Sequence, residues 1–131
     1  FNNFIGYYDL NEKIQFALSV DVGHQKKAKS RRAFQQWYGY AFLFRWKVVN
    51  QIFATFRIER FLDSRQIAVS TLTPNGFQVT GGSMNLDYHY DPTLLIRSEL
   101  KVLKSLDPIF EAQSGKSSID RLVVVSLSLK I

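Results

Sequence analysis

Asp87 and His89 stand two residues apart in the stretch LDYHY, residues 86–90. At that spacing an extended chain turns both side chains to the same side. A carboxylate beside an imidazole can orient a general base, so proton-transfer chemistry is the first reading to weigh. The rest of the chain gives such a pair little to work with. It has two histidines and no cysteine, no serine sits in a nucleophile motif, and no ligand spacing suggests a metal. Simpler company is at hand, because Arg97, Glu99 and Lys101 continue the same alternation. Met84, Leu86, Tyr88, Tyr90, Ile96, Leu100 and Val102 fill the other phase. A polar lining accounts for Asp87 and His89 more simply than catalysis does. The expectation is no catalytic residue, no cofactor and no metal.

An alternation this long has a period of two, the mark of a strand whose faces meet two different environments. One face suits water and the other suits oil. The oil is the protein's own core, a bound lipid or a membrane, and composition narrows the choice. The chain has 131 residues, which bounds it to one domain or part of one. It holds no run of about 18 apolar residues, which excludes a transmembrane helix on length. Aromatics make up 15% of the chain and the formal net charge is +6. A basic balance attracts nucleic acid, anionic lipid or acidic ligands without choosing among them.

Seven segments read as strands, at 2–10, 13–24, 34–48, 51–63, 77–91, 94–104 and 118–131, with no convincing helix. In KIQFALSVDVG, Ile14, Phe16, Leu18, Val20 and Val22 oppose Gln15, Ala17, Ser19 and Asp21. Tyr38, Tyr40, Phe42, Phe44 and Trp46 oppose Gly39, Ala41, Arg45 and Lys47. Leu43, Phe53, Phe61, Leu103, Leu122 and Val124 break the pattern on the polar face, and Ser98 on the apolar one. The connections alternate in length as well. Those at 10–13, 49–51 and 91–93 are tight turns, whereas 23–34, 64–76 and 105–117 are long and polar or irregular. A transmembrane barrel keeps short turns at one end and long loops at the other; a soluble meander has no reason to.

Magnitudes favour the membrane. Eleven residues from 52 to 62 at about 3.3 Å each, tilted by about 40°, span roughly 28 Å, close to an apolar band about 25 Å tall. An Arg or Lys facing lipid costs roughly 2–4 kcal/mol at the midplane and about 0–1 near the interface. The two charges falling clearly on apolar faces, Arg60 and Arg121, both lie near a long loop. Tyr8, Trp46, Tyr88 and Tyr90 sit beside the short turns, and Trp37, Tyr38 and Tyr40 toward a long loop, as ring belts at two water-membrane boundaries would.

The pieces FALSVDVG (16–23), WYGYAFLF (37–44), FRIERFLD (56–63), NGFQVTGGSMNLDYHYDPTLLIRSELKV (75–102) and the terminal VVVSLSLKI make the chain resemble the C-terminal part of a family of outer-membrane β-barrel porins, the porin-2 or OmpL-like family of Gram-negative bacteria. Barrels of this kind usually end in an aromatic residue, whereas this chain ends in Lys130-Ile131. The resemblance implies an all-β, antiparallel, up-and-down transmembrane barrel in the bacterial outer membrane, of which about seven strands are present. It also implies outer-membrane lipids and the barrel-assembly machinery as partners. If the short turns are periplasmic, the strand at 2–10 runs downward. Such barrels begin upward and hold an even number of strands, so residues 1–131 are expected to be the C-terminal part of one barrel domain.

The function that follows is a passive, weakly selective channel for small hydrophilic solutes. Pore-lining positions would be Asp21, Arg45, Lys47, Arg57, Glu59, Asp87, His89, Arg97, Glu99 and Lys101. With Asp63, Asp120 and Lys130 the lumen charges come to six of each sign, which predicts little ion preference. Lipid-facing positions would be Phe42, Phe44, Phe56, Ile58, Met84, Leu86, Leu100, Val102, Val125 and Leu127. Interface aromatics would be Tyr8, Tyr38, Tyr40, Trp46, Tyr88 and Tyr90. The loop HQKKAKSRR, with Lys26, Lys27, Lys29, Arg31 and Arg32, is either a solvated loop or a contact for lipopolysaccharide phosphates. It lacks the interleaved aromatics that nucleic acid would stack on. A non-conducting anchoring barrel shares these features, and a soluble lipid-binding barrel would turn the apolar face inward.

Overall fold

The computed structural model describes residues 1–26 and 34–130. Nine strands form, β1 (Asn2–Asn11), β2 (Ile14–Lys26), β3 (Phe34–Val49), β4 (Ile52–Asp63), β5 (Phe77–His89), β6 (Leu94–Ser105), β7 (Phe110–Ala112), β8 (Gly115–Ser117) and β9 (Ile119–Leu129), with no helix among the described residues. Seven of them make one antiparallel sheet in the order β1-β2-β3-β4-β5-β6-β9. Each strand pairs with its predecessor in the chain, save that β9 follows β6 across a small separate hairpin, β7-β8. The connection at 105–117, read from sequence as irregular, therefore carries a two-stranded ribbon turned at Gly115, whose φ is +120°. Three-residue strands are too short to show a period of two.

Local chemistry sets the turns. Asn11 Oδ1 accepts from the backbone N–H of Lys13 and Ile14 at 2.9 and 3.0 Å. Asp91 Oδ1 accepts from Thr93 N, Thr93 Oγ1 and Leu94 N at 2.7, 2.7 and 2.9 Å. Both are side chains folding back on their own turn, the habit that favours Asn and Asp there. The Asp91 turn ends β5 at His89, two residues before the sequence expectation, because Tyr90 and Asp91 belong to the bend. The last strand likewise covers 119–129 rather than 118–131. Neighbouring short turns are stitched together, Lys47 N donating to Lys13 O (2.7 Å) and His89 N to Gln51 O (2.8 Å), and the end of β9 joins them through Lys130 N to Thr93 O (2.8 Å). These bonds hold the three short turns at one end of the sheet.

The opposite end is organised by Asp63, which is fully buried. Its Oδ1 accepts from Ile67 N (2.9 Å), and its Oδ2 from Ala68 N (2.7 Å) and Val69 N (3.0 Å). Gln66, at φ 55°, continues the job: its Oε1 accepts from Thr71 N and Leu72 N, and its Nε2 donates to Thr73 O. Gly76, at φ +65°, closes the loop where a Cβ would lie 2.6 Å from Asp63 O, so no larger residue fits. Asn75 then donates twice to the Asp107 carboxylate, from N and Nδ2, at 2.9 Å each, tying 64–76 to the segment after β6. These bonds hold the Asp107 carboxyl below the usual aspartate range; the Asn75 side chain contributes most.

The sheet has almost no apolar interior. Its buried hydrophobic residues are Ala41, Ala54 and Val79. Along β3, β4, β5 and β6 the even-numbered face is the more exposed and the odd-numbered face the more enclosed. The enclosed face is the polar one, the reverse of a soluble sheet packed on a core.

Candidate functional site

The polar face gathers its residues by register. Asp21 pairs across to Gly39, Arg57 to Ser83, Glu59 to Gly81, Asp87 to Arg97, Glu99 to Asn85, and Lys101 to Ser83. Strand alternation puts Arg45, Lys47 and His89 on the same side. All ten positions expected to line a pore thus share one face, and the ten expected to meet lipid share the other. Of the latter, Phe44 is half-buried and the rest are exposed. Tyr8, Tyr38, Tyr40, Trp46, Tyr88 and Tyr90 are exposed as well.

The charges on the enclosed face close on one another. Glu59 receives Arg57 Nε at 2.7 Å and Lys101 Nζ at 2.6 Å, so one carboxylate bridges β4 and β6 over Gly81 of β5. Asp87 takes Arg97 in a two-pronged contact, Nε to Oδ1 at 2.6 Å and Nη2 to Oδ2 at 2.7 Å, the geometry that matches a guanidinium to a carboxylate. Asn3 donates to Asp21 at 2.6 Å. Arg45 lies over the Phe53 ring, 4.4 Å from its centre, and His89 meets the same ring edge-on at 5.2 Å. A base with its orienter is not assembled here. Asp87 is committed to Arg97, and the buried His89 Nε2 has no partner among the described residues.

Asp63 does not belong among charges open to a lumen, where its sequence phase places it. Its carboxylate is buried against loop N–H groups, so a carboxylate counted from sequence as lumen charge is a loop clamp. Trp37, expected toward a long loop with Tyr38 and Tyr40, stands at that end of β3 but on the opposite side of the sheet from them. It lies over Gly23 on the polar face, where a Cβ at Gly23 would meet the indole at 2.0 Å, and it stacks on Phe61 at 5.0 Å. Lys27, Lys29, Arg31 and Arg32 of the basic loop lie outside the described residues, as does the side chain of Lys26.

Two of the pattern's exceptions, Phe61 and Leu103, find their reason in glycine, as does the inward Trp37. The register pairs are Gly23 with Trp37, Gly39 with Phe61 and Gly81 with Leu103. Each large group covers a glycine on the neighbouring strand, recovering contact that a bare backbone lacks. The sequence holds both partners of every pair, but only the register shows that they meet. Beside Gly39 a recess of about 260 Å³ opens between Asp21, Arg57 and Glu59 on one side and Phe61 and Phe77 on the other. Chemically the face can hydrogen-bond and solvate polar solutes; with Asp63 withdrawn into the loop its expected charges come to six cations and five anions.

No curated protein and no solved structure matches the chain. A family model described as "Putative beta-barrel porin-2, OmpL-like" matches it over residues 1–131. An all-β antiparallel sheet, greasy on its exposed side and charge-paired on its enclosed side, accords with that match, and the chain belongs to this β-barrel porin family.

Proposed function

We propose that the chain forms wall of an outer-membrane barrel that acts as a passive, weakly selective channel for small hydrophilic solutes. The observation that carries this reading is the exposure pattern. Phe42, Ile58, Leu100 and Val125 stand exposed on one face while Asp87 and Glu59 are enclosed on the other. In water so broad an apolar surface would drive association; against hydrocarbon it is at rest. Strand length supports the same reading, because the 12 residues of β4 at about 3.3 Å each, tilted by about 40°, cover roughly 30 Å against a band about 25 Å tall.

Within this reading further strands complete the barrel. An up-and-down sheet of seven sends β1 and β9 in the same direction, so antiparallel closure calls for an odd number of additional strands. Weak selectivity is supported by the near-even charges of this face, six cations to five anions without Asp63, and by the interleaving of Arg57, Glu59, Lys101, Asp87 and Arg97, which present no ring of one sign. A soluble barrel around a lipid would need the apolar face enclosed, opposite to the observed exposure.

The test is conductance of the full-length protein in planar bilayers, on material whose folded state is verified by heat-modifiable migration. Ohmic steps with a permeability ratio near unity are expected. A folded barrel that passes no current would overturn the channel, and recovery as an aqueous monomer without detergent would overturn the membrane placement itself.

A further inference from the structure

The outward face carries ionised side chains at one end only. Among the described residues of β3, β4, β5, β6 and β9, the outward charges are Arg60, Lys104 and Arg121, all beside the long connections and all cationic. Arg60 and Lys104 are both register partners of Thr80, which puts their backbones two strand spacings, roughly 10 Å, apart. Arg121 pairs with Val102 and so lies diagonal to Lys104, at about 7–8 Å. The three are exposed, and none forms an ion pair among the described residues. Lys104 shares the phase of Leu100 and Val102, and its pairing with Thr80 sets it in one row with Arg60.

A recess of about 180 Å³ opens at this place, lined by Arg60, Gln78, Thr80, Lys104, Ser105 and Leu106. One row nearer the middle of the sheet, the row that Arg121 ends, the same face is otherwise apolar, with Phe42, Ile58 and Val102 exposed. Cations alone, without an acid of their own, next to neutral hydrogen-bonding groups and directly above an apolar wall, match an amphiphile that is anionic at one end.

We infer that Arg60, Lys104 and Arg121 bind the phosphate of a lipid headgroup in the leaflet on the long-loop side, its acyl chains lying against Ile58 and Val102. Arg and Lys suit this task as phosphate donors, and their long stems lie along apolar surface while the charged ends reach the headgroup level. A free phosphate would use the cations but gain nothing from the wall beneath. The inference rests on the membrane placement proposed above.

The full-length protein is reconstituted in phosphatidylcholine nanodiscs, and binding of bisphosphorylated lipid A is compared with that of the same lipid without its phosphates. The wild type should retain the phosphorylated form selectively, and inorganic phosphate in large excess over the lipid should not displace it. The triple variant Arg60→Gln/Lys104→Gln/Arg121→Gln should bind roughly 100-fold more weakly, about fivefold per cation. Lys13→Gln, at the other end of the sheet, should bind as the wild type does. Heat-modifiable migration verifies that each variant is folded; if the triple variant is not, single Arg60→Gln is scored for its fivefold loss. Equal binding by folded wild type and variant, or by both forms of the lipid, overturns the headgroup site alone, as does displacement by free phosphate. Failure of the wild type to enter phosphatidylcholine nanodiscs overturns the membrane placement and the site with it.

Discussion

Leu100 sits near the middle of β6, facing outward between Met84 and Val123. Ile96 faces the same way four residues nearer the short turns, between Tyr88 and Leu127. Four residues at about 3.3 Å, projected through a tilt of about 40°, separate the two by roughly 10 Å in depth. With an apolar band about 25 Å tall, a midplane Leu100 puts Ile96 within a few ångströms of the boundary. The same change at both positions, Leu100→Arg and Ile96→Arg, then removes similar apolar groups and adds the same charge at different depths. The expected loss is about 2–4 kcal/mol at Leu100 and about 0–1 at Ile96. Guanidinium unfolding of the full-length barrel in lipid vesicles, followed by tryptophan fluorescence, reads the difference as a shift in midpoint at constant slope. Were water on this face, both changes would stay within about 0.5 kcal/mol. Equal midpoints for the two variants would refute the depth argument and the lipid-facing assignment with it.

Glu59→Gln should leave Arg57 and Lys101 without their shared acid and move the channel's cation-to-anion permeability ratio toward anions by about threefold, read from reversal potentials in a salt gradient; an unmoved ratio would mean that this face does not line the conducting path. Asp63→Asn should cost about 2–3 kcal/mol, because an amide cannot accept from three backbone N–H groups as the carboxylate does, and limited proteolysis should then cut within 64–76; a loop as resistant as the wild type's would argue against the clamp. Asp91 has its carboxyl pKa lowered, first by the Thr93 hydroxyl and then by backbone N–H groups. Its hold on the turn is therefore fully present above the ordinary aspartate value of about 4 and lost as pH falls through the lower folded value. Hydrogen exchange at Thr93 and Leu94 should quicken only in that acid window, beyond the intrinsic pH trend, and Asp91→Asn should abolish the step.

The strands were legible because the period of two is written in one polar and one apolar residue at a time, and their ends fell within two residues wherever turn chemistry is local, as at Asn11. What sequence phase could not give was anything decided by a neighbour. Phe61 and Leu103 look like errors on a polar face until Gly39 and Gly81 are seen beside them. Trp37 reads as a boundary ring until Gly23 is found beneath it. Asp63 has the phase of a lumen charge, yet the three N–H groups it holds lie four to six residues downstream in a segment with no period to read. The charge pairs across β4, β5 and β6 depend on register, which phase leaves undetermined in steps of two residues.

The stitching at one end of the sheet bears on how the chain assembles. Three tight turns make three ribbons, β1-β2, β3-β4 and β5-β6, whose partners are held close from the start. Joining one ribbon to the next means closing the longer segments 27–33 and 64–76, an entropic cost that rises slowly with length. Among the described strands of this sheet β9 alone has no tight-turn partner, and it reaches β6 across the β7-β8 hairpin. These seven strands should therefore arrive as three quick units and one slow strand, and a search for stalled intermediates would find β9 undocked from β6 after the ribbons have formed.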